Sequence, residues 1–232
     1  VCLLTDAVSC ALYGVRGANG VLMVTTRRGK ASALKVNAQY SFGLSTQFRP
    51  PVFADAVTYA ESVNEALGND GLQPRYNDPE LKAFADGAYP YAYPNVDWWK
   101  ETLNDVGQTH NLRFSFDGGG SRFRYYTVVD YYRDKSMLKY NTADPRYSTK
   151  PTDTRLSVRA NLDVDITSTT VLKAGLSARL QELNGTAYGR NNIMPVIWST
   201  PSAAFPVKNA EGVYGGSPVY GDKNPVALLM DK

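Results

Sequence analysis

Cysteine, histidine and long apolar stretches are all scarce in this 232-residue sequence. Two cysteines, Cys2 and Cys10, are too few for a disulfide-stapled scaffold or a four-cysteine zinc site. They can pair in an oxidising compartment, but two small buried thiols is the simpler expectation. The single histidine, His110, excludes any mechanism that needs two imidazoles. The longest apolar run, Val226 to Met230, is far short of the roughly 20 residues of a membrane-spanning helix. A helical membrane protein is excluded. A membrane β-barrel is not, because its strands are apolar on one side only and average out near the observed mean hydropathy of −0.34. A surplus of charge is also lacking: the formal net charge is +3, and its carriers are scattered, which argues against a nucleic-acid surface. The first residues have neither the basic start nor the cleavage-type tail of a signal peptide, nor an initiator methionine. The expectation is a piece of a longer polypeptide.

What is present is a globular balance of 43% hydrophobic, 20% charged and 12% aromatic residues. It is organised as five segments of strict period-two alternation. Lys35 to Leu44 sets Val36, Ala38, Tyr40, Phe42 and Leu44 against Lys35, Asn37, Gln39 and Ser41. Asn111 to Asp117 and Phe123 to Tyr132 follow, the latter rich in aromatic and β-branched residues. Arg155 to Ile166 opposes Leu156, Val158, Ala160, Leu162, Val164 and Ile166 to Arg155, Ser157, Arg159, Asn161, Asp163 and Asp165. Leu172 to Leu180 repeats the pattern, with Lys173, Gly175, Ser177 and Arg179 on its polar side. The segments are about ten residues long, enough for a tilted strand to cross a bilayer core.

The connections alternate in length. Gly118-Gly119-Gly120-Ser121 and Thr167 to Thr170 are tight turns, whereas about 65, 22 and 50 residues fill the other intervals. Short turns at one end and long loops at the other are the rhythm of an outer-membrane barrel. A soluble β-sandwich shares the alternation but does not require all long connections at one end.

Long loops need structure of their own. Asp55 to Leu67 reads as a helix capped by Asp55 and stopped by Gly68. Asn77-Asp78-Pro79-Glu80 reads as a second helix start, with Gly87 past its end. Tyr89, Tyr91, Tyr93, Trp98 and Trp99 then supply a candidate stacking platform for sugar or peptide groups. The alternative is that these rings pack the loop on itself or sit at a membrane interface.

Residues 1–30 differ in kind. Asp6 is placed to cap a short helix through Tyr13, closed by Gly14. A turn-rich stretch over Val15 to Gly20 follows, and Val21 to Thr26 is a β-rich run without alternation, which predicts burial on both faces. There is no GxxxxGK[ST], and the glycines follow the helix instead of opening one, so a phosphate cradle is not indicated.

The core Tyr13-Gly14-Val15-Arg16-Gly17-Ala18-Asn19-Gly20, with the following VLMVTTRRGK, closely resembles the end of the plug domain in SusC/RagA-type TonB-dependent transporters. Asn95-Val96-Asp97-Trp98 resembles the family's Asp-Trp motif. His110-Asn111-Leu112 with Asp117-Gly118-Gly119 resembles its first hairpin, Arg155 to Asp163 its RxSxRxNxD-like strand, and Pro206 to Asn224 a later glycine-rich loop. Val8, Ser9 and Cys10 stand where small residues are usual.

The resemblance implies that 1–30 end an α/β plug with a helix-turn-strand, marked by Tyr13, Gly14, Arg16, Gly17, Asn19 and Gly20. It implies that 31–232 are the first strands and extracellular loops of a transmembrane antiparallel β-barrel of about 22 strands. Five strands do not close such a barrel. It further implies import of oligosaccharides or oligopeptides across a Bacteroidota-type outer membrane, energised by TonB and capped by a SusD-like surface lipoprotein. No cofactor, metal or nucleic acid enters. Arg16 is a candidate to hold the plug to Asp163 or Asp165 on the wall.

Two other classes compete. A surface or secreted glycan-binding β-domain would use the same rings without transport. A glycosidase would need two carboxylates flanking a bond, but Asp163 and Asp165 sit among Arg155, Arg159 and Asn161, as in a polar wall. His110 reads as a hydrogen-bonded strand residue.

Overall fold

A computed structural model describes residues 1–6, 11–17, 19–139, 142 and 144–230. Its centre is a five-stranded antiparallel sheet in simple chain order. The strands are β3 (Ser32–Thr46), β4 (Val106–Gly119), β5 (Phe123–Lys135), β6 (Thr152–Asp165) and β7 (Val171–Asn184). Each is longer than its sequence-predicted segment; β3, β4, β5 and β7 run past the last residue of the alternating pattern, while β6 starts earlier, at Thr152, and ends at Asp165, one residue short of the expected Ile166. A separate ribbon pairs β1 (Cys2–Leu4) with β2 (Val21–Met23), Leu3 opposite Leu22.

Among the described residues the long connections carry five α-helices: α1 (Ala56–Asn69), α2 (Asp78–Asp86), α3 (Trp98–Thr102), α4 (Gly189–Ser199) and α5 (Pro225–Met230). The chain is therefore sheet-rich but not purely β, and only the first two helices were legible as periodic segments. None of the helices is long and apolar enough to cross a membrane, among the described residues.

Helix ends follow their capping chemistry. Asp55 caps α1, its Oδ1 accepting from the Thr58 backbone N–H at 2.8 Å, and that bond holds its carboxyl below the usual carboxylate range. Gly68, expected as a stop, lies inside α1. The helix runs on to Asn69, and Gly71 makes the left-handed exit at φ +70°, with Leu72 N–H returning to the Leu67 carbonyl at 2.8 Å. Asn77 and Glu80 form a reciprocal capping box on α2, which ends at left-handed Gly87. Asn77→Ala should lower loop stability by about 1 kcal/mol, read as a shift in denaturant midpoint at constant slope.

Contacts divide the chain into two units. The first comprises Val1–Gln39, Leu112–Asp130 and Ser157–Arg179. The second comprises Tyr40–Asn111, Tyr131–Leu156 and Leu180–Lys232. The second has its own core, in which Trp98, Leu138, Ile193, Ile197, Phe205, Val226 and Leu229 are buried together, with a smaller cluster of Ala56, Ala60 and Phe84.

Burial in the sheet runs opposite to that of a soluble sandwich. Leu34, Val36, Tyr40, Phe42 and Leu44 on β3, Leu156 on β6, and Leu172, Leu176 and Leu180 on β7 are all exposed. No second sheet covers this apolar row; the other sheet among the described residues is the β1–β2 ribbon. On the polar row, Asn161 and Asp163 are only 5% and 7% exposed.

Several N-terminal expectations change. Cys2 is a free, exposed thiol, not a buried one; among the described residues its strand pairs with β2 alone. Cys10 and most of the expected Asp6–Tyr13 helix lie outside the described residues. Val21 to Thr26 is not buried on both faces: Leu22, Met23 and Val24 are exposed, since a two-stranded ribbon offers cover on neither side.

Candidate functional site

Two regions gather chemistry. In the first unit, the irregular segment Thr26 to Lys30 lies across the polar row of the sheet. Asn161 Nδ2 donates to Thr26 Oγ1 at 3.1 Å and to the Arg27 carbonyl at 2.6 Å. Arg28 pairs with Asp163, and Lys30 N–H donates to Asp117 Oδ1 at 3.2 Å. Gly29 fits where nothing larger does, because a Cβ there would overlap the Tyr125 backbone. On the same face Arg124 forms two bonds to Asp165, at 2.7 and 2.8 Å, and Arg113 pairs with Asp130 at 2.9 Å.

These pairs overturn the expected contact of Arg16. Asp163 is taken by Arg28 and Asp165 by Arg124, while Arg16 is exposed on a 3-10 turn over Gly14–Gly17. In that motif Tyr13 is exposed and donates to Met23 Sδ at 3.7 Å. Gly17 is buried, Asn19 is exposed, and Gly14 and Gly20 take positive φ of 62° and 96°. Asp163 and Asp165 are thus each paired with an arginine, Arg28 and Arg124, as in a structural polar wall.

In the second unit, a cavity of about 420 Å³ opens between the start of α1, the turn before α3 and the end of α4. Phe53, Asp55, Tyr59, Asn95, Asp97 and Trp198 are among its lining residues. Phe53, Trp99 and Trp198 form a mutual ring cluster, with centroids 5.5 to 6.1 Å apart. Trp198 is 53% exposed. Trp99 is held by its indole N–H donating to Gln47 Oε1 at 2.8 Å.

The five aromatics expected to form one platform are separated. Trp98 is 3% exposed, packs on Phe205 at 5.3 Å and donates to the Pro201 carbonyl, so it belongs to the loop core. Tyr93 stacks edge-on against Phe84 and closes the smaller cluster. Tyr89 and Tyr91 remain exposed on their turn. Trp99 joins the ring cluster with Phe53 and Trp198, while the aromatic lining of the cavity itself includes Phe53, Trp98 and Trp198. Phe53 and Trp198 were missed because they lie about 145 residues apart in sequence and no local pattern links them.

Beside the cavity Tyr59 and Tyr220 share a hydrogen bond of 3.1 Å. Burial first, then this bond, pushes the Tyr220 phenol up to about 12. A raised folded-state value means the contact is intact below tyrosine's ordinary 10 and is lost as pH rises through about 12. Tyr59→Phe should lower the Tyr220 titration midpoint, measured by phenolate absorbance.

His110 lies within β4, shares a 2.8 Å hydrogen bond with the Tyr40 hydroxyl and packs at a tilt with its ring centre 5.1 Å from that of Phe42, in a cluster on the strand surface. No group of three metal-ligating side chains occurs among the described residues.

No family model matches the chain. It is 28% identical over 241 residues to TonB-dependent receptor P26 of Formosa agariphila, covering 98% of this chain and 21% of that protein. It is 27% identical to TonB-dependent receptor P3 of the same organism, over 99% of this chain and 21% of that one. TonB-dependent receptor SusC of Bacteroides thetaiotaomicron is 28% identical over 59% of this chain and 12% of its own length. In fold, the RagAB peptide transporter superposes with a TM-score of 0.67 at 18% identity, over 92% of this chain and 25% of that one. The chain is thus similar over nearly its whole length to two TonB-dependent receptors, of which it spans about a fifth, is similar over 59% of its length to SusC, and shares its fold with the RagAB peptide transporter.

Proposed function

We propose that this chain is part of an outer-membrane importer of oligosaccharides or oligopeptides. Residues 1–30 end the plug and residues 31–232 supply the first barrel strands with their extracellular loops. TonB drives the import through plug residues upstream, and a SusD-like surface lipoprotein seats on the loops. The observation that carries this reading is the two-faced sheet. One row is apolar, exposed and uncovered, and suits hydrocarbon; the other is lined by arginine–carboxylate pairs, and suits a wet bore. A soluble glycan-binding domain would leave that apolar row in water.

Within the second unit, cargo recognition falls to Trp198 and Phe53 at the cavity, backed by the Trp99 ring that packs on both, with exposed Tyr89 and Tyr91 as further stacking rings. Tyr93 and Trp98 hold the loops that present them. Trp198→Ala should lower uptake of subsaturating labelled cargo roughly two- to tenfold, with Trp198→Phe retaining most of it.

The test is deletion of the full-length gene. Growth on one class of oligomer as sole nutrient should fail and be restored only by a copy in a TonB-competent strain. Recovery of the full-length protein from the aqueous fraction, without detergent, would overturn the reading.

A further inference from the structure

The hold between Thr26–Lys30 and the sheet starts abruptly. Just upstream, β1 and β2 share three residue pairs, and Leu3, Leu22 and Val24 are exposed. Those three pairs follow one another along a single ladder. From Thr26 on, the holds are spread over three strands. Asn161 grips two successive residues, Arg28 meets Asp163 on the same strand β6, Gly29 lies against Tyr125 on β5, and Lys30 is bonded by Asp117 on β4. Residues gripped at several strands separate only if those contacts fail together, whereas the ribbon opens a pair at a time. Local opening follows the weaker unit.

We propose that Thr26–Lys30 is a fixed clasp: when the preceding residues are drawn during transport, remodelling stops at Thr26 and the clasp stays closed on the wall. This inference rests on the reading of 1–30 as the end of a plug. It assigns a role to Asn161 and Asp117 that the ion pairs alone do not give them, since both grip backbone atoms of the segment.

The experiment uses the full-length transporter carrying Thr26→Cys and Asn161→Cys, whose native side chains approach to 3.1 Å. The thiols are joined in cells by oxidation or by a short bifunctional methanethiosulfonate, and linkage is scored by mass spectrometry. Uptake of labelled cargo is then compared for linked and reduced protein, in strains with and without TonB. The expected result is TonB-dependent uptake that linkage does not reduce. Loss of uptake on linkage, restored by reductant, overturns the clasp. Uptake by the reduced protein that does not need TonB instead overturns the importer reading. As a second measurement, the full-length protein carrying Thr26→Cys as its one cysteine, with Cys2 and Cys10 replaced by serine, is probed with an impermeant maleimide. Labelling should be equally slow with and without cargo and TonB, and a TonB-dependent increase overturns the proposal.

Discussion

Arginine at Leu176 should sharply reduce the fraction of full-length protein that reaches the folded, membrane-inserted state, while arginine at Ser177 should leave it unchanged. The two positions are adjacent on β7 and face opposite ways. Leu176 is 71% exposed on the uncovered apolar row. Ser177 lines a space of about 380 Å³ with Asp130, Ser157, Arg159 and Arg179, where a further guanidinium finds room and water. A cation on the lipid side near the midplane costs about 2–4 kcal/mol, and one on the lumen side costs little. The row is the right length for that geometry. On β7 it runs from Leu172 to Leu180, nine residues, which tilted strands need to cross a hydrocarbon core. Leu162→Arg and Ser157→Arg form an independent pair on β6. Heat-modifiable mobility of outer-membrane fractions gives the readout, and equal tolerance of both sets would invert or abolish the facing assignment.

Gly29→Val should be the most damaging change in the N-terminal segment. A side chain there runs into the Tyr125 backbone, not into the flexible tip of a neighbour, so the segment must lift. Overpacking of this kind costs about 1–3 kcal/mol. Lifting also loosens the neighbouring bonds from Lys30 to Asp117 and from Arg28 to Asp163. Gly29→Ala should fall between Val and wild type. Gly120→Ala is the matched control, because the space around that position is open. Thermal unfolding of the detergent-solubilised full-length protein measures the order. A Gly29→Val protein as stable as the control would mean that the segment is not seated against β5.

The strands were legible because alternation is local: Leu156 and Ser157 declare opposite faces whatever packs nearby. Asp55 and Asn77 were legible for the same reason, since a cap bonds three residues ahead. The ends of elements were not, as Gly68 shows: a glycine tolerated inside a helix looks in sequence like one that ends it. Least legible was the candidate site. Phe53 and Trp198 meet only because the loops fold around Ile193, Ile197 and Trp98. The same folding buried Trp98 and split a promising aromatic run, leaving Tyr89 and Tyr91 exposed. Asp163 found Arg28 and not Arg16, because the approach of 26–30 over the sheet depends on Gly29 fitting against Tyr125 and not on spacing along the chain.

The helical loops are bonded to the strand ends that carry them. Trp99 reaches Gln47 just past β3, Leu103 bridges to Leu138, and Ser136 N–H bonds the Pro151 carbonyl, while Gln181 and Asn184 tie β7 to Asp153 and Thr152. A load placed on α3 is therefore handed through Trp99 and Leu103 to the ends of paired strands, and these bonds stiffen that part of the loop assembly in the manner of a bracket.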